Sequence, residues 1–419
     1  MAVPQQVTIK LKENQKVKSD GTPIYYPYGR LITVTRSLYP PGSTQDFYSY
    51  THEWNGTKLK LAEIQDDTGV KIQRINEYGK KVPSVSAYYW KHENGTDGRN
   101  PKKALMVEVV EEGGKKYSYY LRNISDPPWF SIYGNSSSDP LDAKELEEKL
   151  DQQNCKLNKA VTIDLSYSKS TPGRRYCCPA HSPRGDSGRV SVTVEKVSCT
   201  SHISSSLTYY KHEVKAGEWR VAAIKYNDGG GRSSGKRRKR VNIPGLKLPT
   251  KDSVKITVHV FYCNGSDPKL IYVEYSGGQD VKGWYRKDTT DGWIKVSGIS
   301  ENITPDELSK TANCSHDDFK QLVTALGCNN YSNCVNSGGS KPETDESLEN
   351  AEQNTTDQVP DTESETKQSV QGKGPGLSEG AKAGIGVGST VGGGSAIGFG
   401  IWKGPDIMRD IISVLRTLI

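Results

Sequence analysis

The phrase Val7-Thr8-Ile9-Lys10-Leu11 returns as Val161-Thr162-Ile163-Asp164-Leu165, and the residues downstream of it return in the same order. Tyr25-Tyr26-Pro27 is answered by Tyr176-Cys177-Cys178-Pro179. Gly29-Arg30, followed by Leu31, Thr33 and Thr35, is answered by Gly188-Arg189, followed by Val190, Val192 and Val194. A repeat of this length means two copies of one structural unit, so the 419-residue chain reads as tandem modules of about 155 residues each.

The correspondence continues. Tyr50-Thr51-His52-Glu53 is matched by Tyr210-Lys211-His212-Glu213, and Leu61-Ala62-Glu63-Ile64 by Val221-Ala222-Ala223-Ile224. Val107-Glu108 is matched by Val273-Glu274, and Trp129 by Trp293. Short alternating stretches at Leu31–Thr35, Leu59–Ile64, Val85–Trp90, Leu105–Val110 and Tyr117–Leu121 are parted by Gly, Asn and Asp turns. They predict about five to seven strands per module, in an antiparallel sheet or sandwich.

Then the period changes. Asp139, with Pro140 at the first helical position, predicts a helix with Leu141, Leu146 and Leu150 on one face, running to Asn154-Cys155. The second module ends alike. Thr304-Pro305-Asp306-Glu307 is a capping box, and Ser315 caps a helix with Phe319, Leu322, Val323 and Leu326 as its apolar stripe and Gly327 as its stop. Strands first and helix last make each module a β-rich α+β unit. The expected layout is module A at 1–160, module B at 161–336, a disordered acidic linker at 337–382, a transmembrane segment at 383–402 and an amphipathic cytoplasmic tail at 403–419.

The C-terminal part of that layout rests on composition. Lys341 to Val370 carries nine acidic and two basic side chains and almost nothing to bury, which predicts a self-repelling spacer. The net charge of +7 is therefore −7 there and +14 elsewhere, a basic body that attracts polyanions. Ala383 to Trp402 holds no charge and has the length of a bilayer span. Gly384, Gly388 and Gly392 recur four apart, as close helix–helix association requires. Beyond it, Ile407, Ile411, Ile412, Leu415 and Leu418 share one helical face with Arg409 and Arg416 opposite, the pattern of an interfacial helix. Lys403, Arg409 and Arg416 place that end in the cytoplasm.

The Val-Thr-Ile-x-Leu opening, the Tyr-Cys-Cys-Pro-x-His stretch (Tyr176 to His181), the Tyr-x-His-Glu strands and Val273-Glu274-Tyr275 leading to Gly283-Trp284-Tyr285 resemble a large paralogous family of piroplasm parasites, best represented in Theileria equi. The Gly-rich span before an apolar C-terminus completes the resemblance. It implies a multi-copy, membrane-associated protein exposed to the host, and it brings no catalytic residues.

Two features favour an oxidising compartment. The eight cysteines (Cys155, Cys177, Cys178, Cys199, Cys263, Cys314, Cys328 and Cys334) form an even, partly clustered set, which suits disulfides. Cys314 with Cys328 or Cys334 is the expected local pair. Nine of the twenty asparagines, among them Asn55, Asn123 and Asn302, open an Asn-x-Ser/Thr sequon, above chance for this composition. Against them, the first thirty residues lack the apolar run of a signal peptide.

Candidate sites are few. Cys178, His181, Cys199 and His202 are two thiols and two imidazoles of the kind that closes a tetrahedral zinc site, although an oxidising compartment would turn the thiols into disulfides. Lys236, Arg237, Arg238, Lys239 and Arg240 lie in a Gly/Ser-rich stretch and predict a polyanion-binding or protease-sensitive loop. His52 and His212 recur beside a glutamate and read as parts of the fold. No His-Glu-x-x-His, Gly-x-Ser-x-Gly or nucleotide fingerprint occurs. The expected function is non-enzymatic: a membrane-anchored surface or secretory-pathway protein of the host-interaction or antigenic-variation type, with no cofactor. A host protein or glycan is the expected partner, nucleic acid is not, and 383–419 contacts the membrane. The alternative is an intracellular zinc- or polyanion-binding effector.

Overall fold

The computed structural model describes residues 6–17, 24–25, 32–54, 59–72, 81–93, 101–111, 116–125, 128–132, 137–166, 189–197, 206–214, 219–228, 237–250, 255–263, 267–276, 280–290, 292–311 and 317–328. The chain divides into Met1–Ser340 and Lys341–Ile419, and every described residue belongs to the first unit. The expectations for 337–419 lie outside the described residues. Among the described residues no helix is long and apolar enough to cross a membrane.

Elements are numbered in chain order. The first half holds β1 (Gln6–Lys10), β2 (Ile24–Tyr25), β3 (Ile32–Tyr39), β4 (Phe47–Trp54), β5 (Leu59–Gln65), β6 (Lys81–Val82), β7 (Ser84–Trp90), β8 (Ala104–Glu111), β9 (Lys116–Arg122), β10 (Trp129–Ser131) and α1 (Ala143–Asn158). The second holds β11 (Ala160–Asp164), β12 (Val190–Val197), β13 (Leu207–Val214), β14 (Arg220–Asn227), β15 (Arg238–Arg240), β16 (Lys255–Tyr262), β17 (Pro268–Ser276), β18 (Val281–Lys287), β19 (Trp293–Lys295), α2 (Pro305–Thr311) and α3 (Asp317–Leu326).

The architecture is β-rich with a few helices, as the alternating stretches predict. Each half builds a large antiparallel sheet, in the order β10-β9-β8-β7-β4-β3-β2 and then β19-β18-β17-β16-β13-β12. An all-antiparallel arrangement does not hold, however. The opening phrase of each half forms a second, three-stranded sheet, β1-β5-β6 and β11-β14-β15, in which β1 runs parallel to β5 and β11 parallel to β14. Both parallel ladders shift register at the same place, between Val7 and Thr8 and between Val161 and Thr162. The β7–β8 ladder bulges between Tyr88 and Tyr89, and the β16–β17 ladder between Phe261 and Tyr262. Bulges are placed features of a fold, so their coincidence carries weight beyond shared strand order.

Register also corrects one correspondence. His52 faces Val85, which faces Val109, while His212 faces Val258, which faces Val273. Val273 therefore stands where Val109 does, two residues from the Val107 that the sequence suggests. A slip of two keeps every side chain on its face, so alternation cannot detect it.

Small and large sheets pack face to face. Val7, Ile9, Leu61 and Ile64 meet Val34, Val85 and Val109 in the first half. Val161, Ile163, Val221 and Ile224 meet Val190, Val258 and Val273 in the second. Helices cover the other face of each large sheet. Leu146 and Leu150 of α1 lie on Tyr88, Trp90 and Tyr119, and Phe319, Leu322 and Leu326 of α3 lie on Tyr209, Phe261 and Trp284. Each such apolar side chain contributes about 1.5–3 kcal/mol on burial.

The helix α1 starts later than Asp139 predicts. Asp142 is its N-cap, its carboxylate accepting the Glu145 N–H at 2.7 Å, while the Leu141 N–H donates to the Tyr119 hydroxyl at 3.0 Å. At the other end the helix runs past Cys155 to Asn158. Lys159 adopts a left-handed conformation (φ 51°), and Ala160 already begins β11. One residue joins the halves. The second half closes as its capping box predicts: Thr304 Oγ1 accepts the Glu307 N–H at 3.1 Å and Glu307 accepts the Thr304 N–H at 2.8 Å. Gly327 follows α3 with φ 65°, and Ser315 lies outside the described residues.

Candidate functional site

The densest chemistry lies where α1 meets the small sheet of the second half. Glu147 and Asp151 stand one turn apart on α1, on the flank of Leu146 and Leu150, and both are buried. Lys225 of β14 is fully buried. Its Nζ lies 2.8 Å from Glu147 Oε1, 3.0 Å from Asp151 Oδ1 and 2.9 Å from Asp46 Oδ2, in the β3–β4 turn. Arg238 of β15, also buried, reaches Asp151 Oδ2 at 2.5 Å and Asp164 Oδ2 at 3.0 Å. Arg240 pairs with Asp46. Thr44 donates its hydroxyl to Glu147 at 2.5 Å. Burial alone would strip Lys225 of its proton, but Asp151, Asp46 and Glu147 outweigh it and hold the ammonium above its ordinary range. Burial likewise pushes Asp151 up, and Lys225 and Arg238 bring it below the ordinary carboxylate range. The four carboxylates and three cations pair with one another, although Glu147 Oε2 and Arg238 Nε are buried without a hydrogen-bond partner, and the network locks turn, helix and sheet together.

The basic loop is revised accordingly. Arg238, Lys239 and Arg240 form strand β15 instead of a loop, because Arg238 pairs inward with α1 and β11. Lys239 is half-buried and pairs with Asp228 at 3.2 Å. Of the five cations, Arg237 is exposed, and Lys236 lies outside the described residues. Cys178, His181, Cys199 and His202 also lie outside them. Among the described residues no group of three or more His, Cys, Asp or Glu is arranged to hold a metal.

Of the two partners expected for Cys314, Cys328 is taken by another cysteine, and Cys314 and Cys334 themselves lie outside the described residues. Cys328, just after α3, is bonded to Cys263 at the end of β16, 65 residues away in sequence. Cys155 is also disulfide-bonded. Of the sequons, Asn302 is exposed and Asn123 half-buried.

A second polar set lies under α2, on the helix-covered face of the large sheet. Asp306 accepts hydrogen bonds from the Tyr209 hydroxyl and the Lys211 ammonium, each at 2.6 Å. His259 faces Lys211 across the ladder and stacks on Tyr209, with ring centroids 5.5 Å apart. Its Nδ1 lies 4.0 Å from Asp306. Burial lowers His259 to about 4 despite that carboxylate. Burial would raise Asp306, but its bonds to Lys211 and Tyr209 hold it low. At the same register in the first half, Thr51 and Ser86 share a hydrogen bond of 3.0 Å instead. His52 and His212 occupy equivalent places on the opposite face, and burial lowers each to about 3. They are neutral core imidazoles.

A third set closes the end of β5. Asp67 accepts from the Tyr89 hydroxyl at 2.7 Å and the Ala104 N–H at 2.9 Å, and Arg122 lies 3.7 Å away. Burial still raises Asp67 to about 6. Beside it, Asp66 accepts from Trp129 Nε1 at 3.3 Å. In the second half Tyr226 takes the place of Asp66. Its ring packs edge-on to Trp293 and lies under the Lys287 ammonium at 4.9 Å. The two tryptophans thus recur as core anchors with different polar companions.

Comparison with family models, with curated proteins and with solved structures finds no match to this chain.

Proposed function

We propose that the chain is a non-enzymatic, membrane-anchored binding protein of an oxidising compartment, built from two copies of one β-rich module. The observation that carries this reading is the Cys263–Cys328 disulfide, which ties the end of α3 to the large sheet. Structural disulfides persist where thiols are not continually reduced. Matching strand order, parallel ladders and bulges support the duplication. The module boundaries are 1–160 and 161–336, followed by the acidic linker, the membrane segment at 383–402 and the cytoplasmic tail. The sheets form a rigid support, and the turns between strands present the variable, host-facing surface. A zinc- or polyanion-binding intracellular effector is the weaker reading, because Arg238 and Arg240 are occupied by carboxylates. Thiol titration of the native and the unfolded, unreduced chain tests the proposal: few reactive thiols are expected, and eight would sink it.

A further inference from the structure

A cleft of about 390 Å³ opens where the halves join. Its walls come from three places: the β7–β8 connection (Glu93, Lys102, Lys103), the end of α1 with its cap (Leu157, Asn158, Lys159) and the first residue of β14 (Arg220). The volume lies within the roughly 300–1,000 Å³ usual for small-ligand sites. Four of its seven lining side chains are cationic and one is acidic. The acid is already engaged, since Glu93 Oε2 accepts the backbone N–H groups of Lys102 at 2.7 Å and Lys103 at 3.0 Å. That bracket fixes the backbone carrying two exposed lysines. Arg220 is steadied on the opposite wall, with its guanidinium 4.5 Å above the Trp90 ring and its backbone N–H donating to the Lys159 carbonyl at 3.0 Å. The C-terminal end of α1 works against an anion here, but its half-charge is small beside the cationic lining.

We propose that this cleft binds a sulfate ester carried on a small sugar. The cations supply the charge for the sulfate, the Asn158 side-chain amide is a polar partner for sugar hydroxyls, and the Leu157 side chain offers an apolar patch. No described lining residue is aromatic, so a stacked nucleobase has no partner among them. The choice of a sulfated sugar over a phosphorylated metabolite rests on the proposed oxidising compartment, which thiol titration tests separately.

Calorimetric titration of the full chain with a sulfated heparin disaccharide, its unsulfated counterpart and inorganic phosphate is the test. Saturable binding of the sulfated disaccharide alone is expected. Lys102→Glu/Lys103→Glu should weaken it at least about tenfold, because like charges then face the sulfate. Lys12→Glu/Lys247→Glu, which makes the same charge change at exposed positions off the cleft, should change it less than about twofold. Absence of saturable binding overturns the proposal, as does equal weakening by both double variants. Phosphate binding as tight as that of the disaccharide overturns the sugar assignment.

Discussion

Lys225 Nζ and Glu147 Oε1 lie 2.8 Å apart with neither side chain more than 1% exposed, although 78 residues separate them in the chain. This pair joins the last helix of the first half to a strand of the second. Breaking such a pair leaves a charge that cannot reach water, so Lys225→Met is expected to cost about 3–5 kcal/mol, read by urea denaturation. The Lys225→Met/Glu147→Gln double variant should recover part of that loss. Strict additivity of the two single losses would show that the contact is not energetically coupled.

Acid should unfold the chain earlier than its carboxylates alone would suggest. His52 and His212 titrate at about 3 and His259 at about 4 in the folded chain, against 6.5 when unfolded. Below pH 6.5 the unfolded chain takes up protons that the folded chain refuses. The stability is therefore complete above that pH and is lost as the pH falls, toward about 4 for His259 and about 3 for His52 and His212, at about 1.4 kcal/mol per imidazole for every pH unit crossed. Denaturation midpoints at about pH 7.5 and about pH 5, on either side of the unfolded value, measure the slope. His212→Gln should flatten it, and an unchanged slope would exclude this imidazole as a source.

Asp67 acts with the opposite sign. It titrates at about 6 when folded and at 3.8 when unfolded, so the folded chain binds the extra proton between those values, and the ionised form is a burden above pH 6. Asp67→Asn is expected to stabilise the chain at about pH 8, by up to about 3 kcal/mol, and to matter little at about pH 3.5. Thermal melts across that range give the crossing. A destabilisation of equal size at both pH values would mean that the bonds to Tyr89 and Ala104 outweigh the charge.

Replacing Cys263 with Ser reopens a loop spanning 65 residues and should cost about 3–5 kcal/mol. The release should be felt first at α3, whose Phe319 and Leu322 rest on the sheet. Limited proteolysis, with cleavage near α3 before any in the strands, is the expected pattern.

Period and repetition made the strands and the order of elements legible, because alternation and capping are local. Pairing direction was not: Val7-Thr8-Ile9 alternates the same way whether its neighbour runs parallel or antiparallel. The run Lys236 to Arg240 reads as solvated because five cations in a row seldom find buried partners, and here the carboxylates come from distant places in the chain. One local signal was available. Glu147 and Asp151 sit a turn apart beside the apolar Leu146 and Leu150, where a helix that merely packs would carry leucine or alanine. In the same way, Asp142 lies three residues before Glu145 and competes with Asp139 as a cap. The choice is made by Tyr119, a hydroxyl that no local pattern places beside Leu141.

The single residue between α1 and β11 has a consequence for the spacing of the two halves. With Lys159 as the one linking residue and the Lys225–Glu147–Asp46 network clasped beside it, the separation of the two halves is set as on a ruler. Turns other than the β3–β4 turn, whose Thr44 and Asp46 belong to that network, can be rewritten, lengthened or exchanged on either side without moving one half against the other. A partner that touches both halves would meet the same span, whatever side chains stand at its two ends.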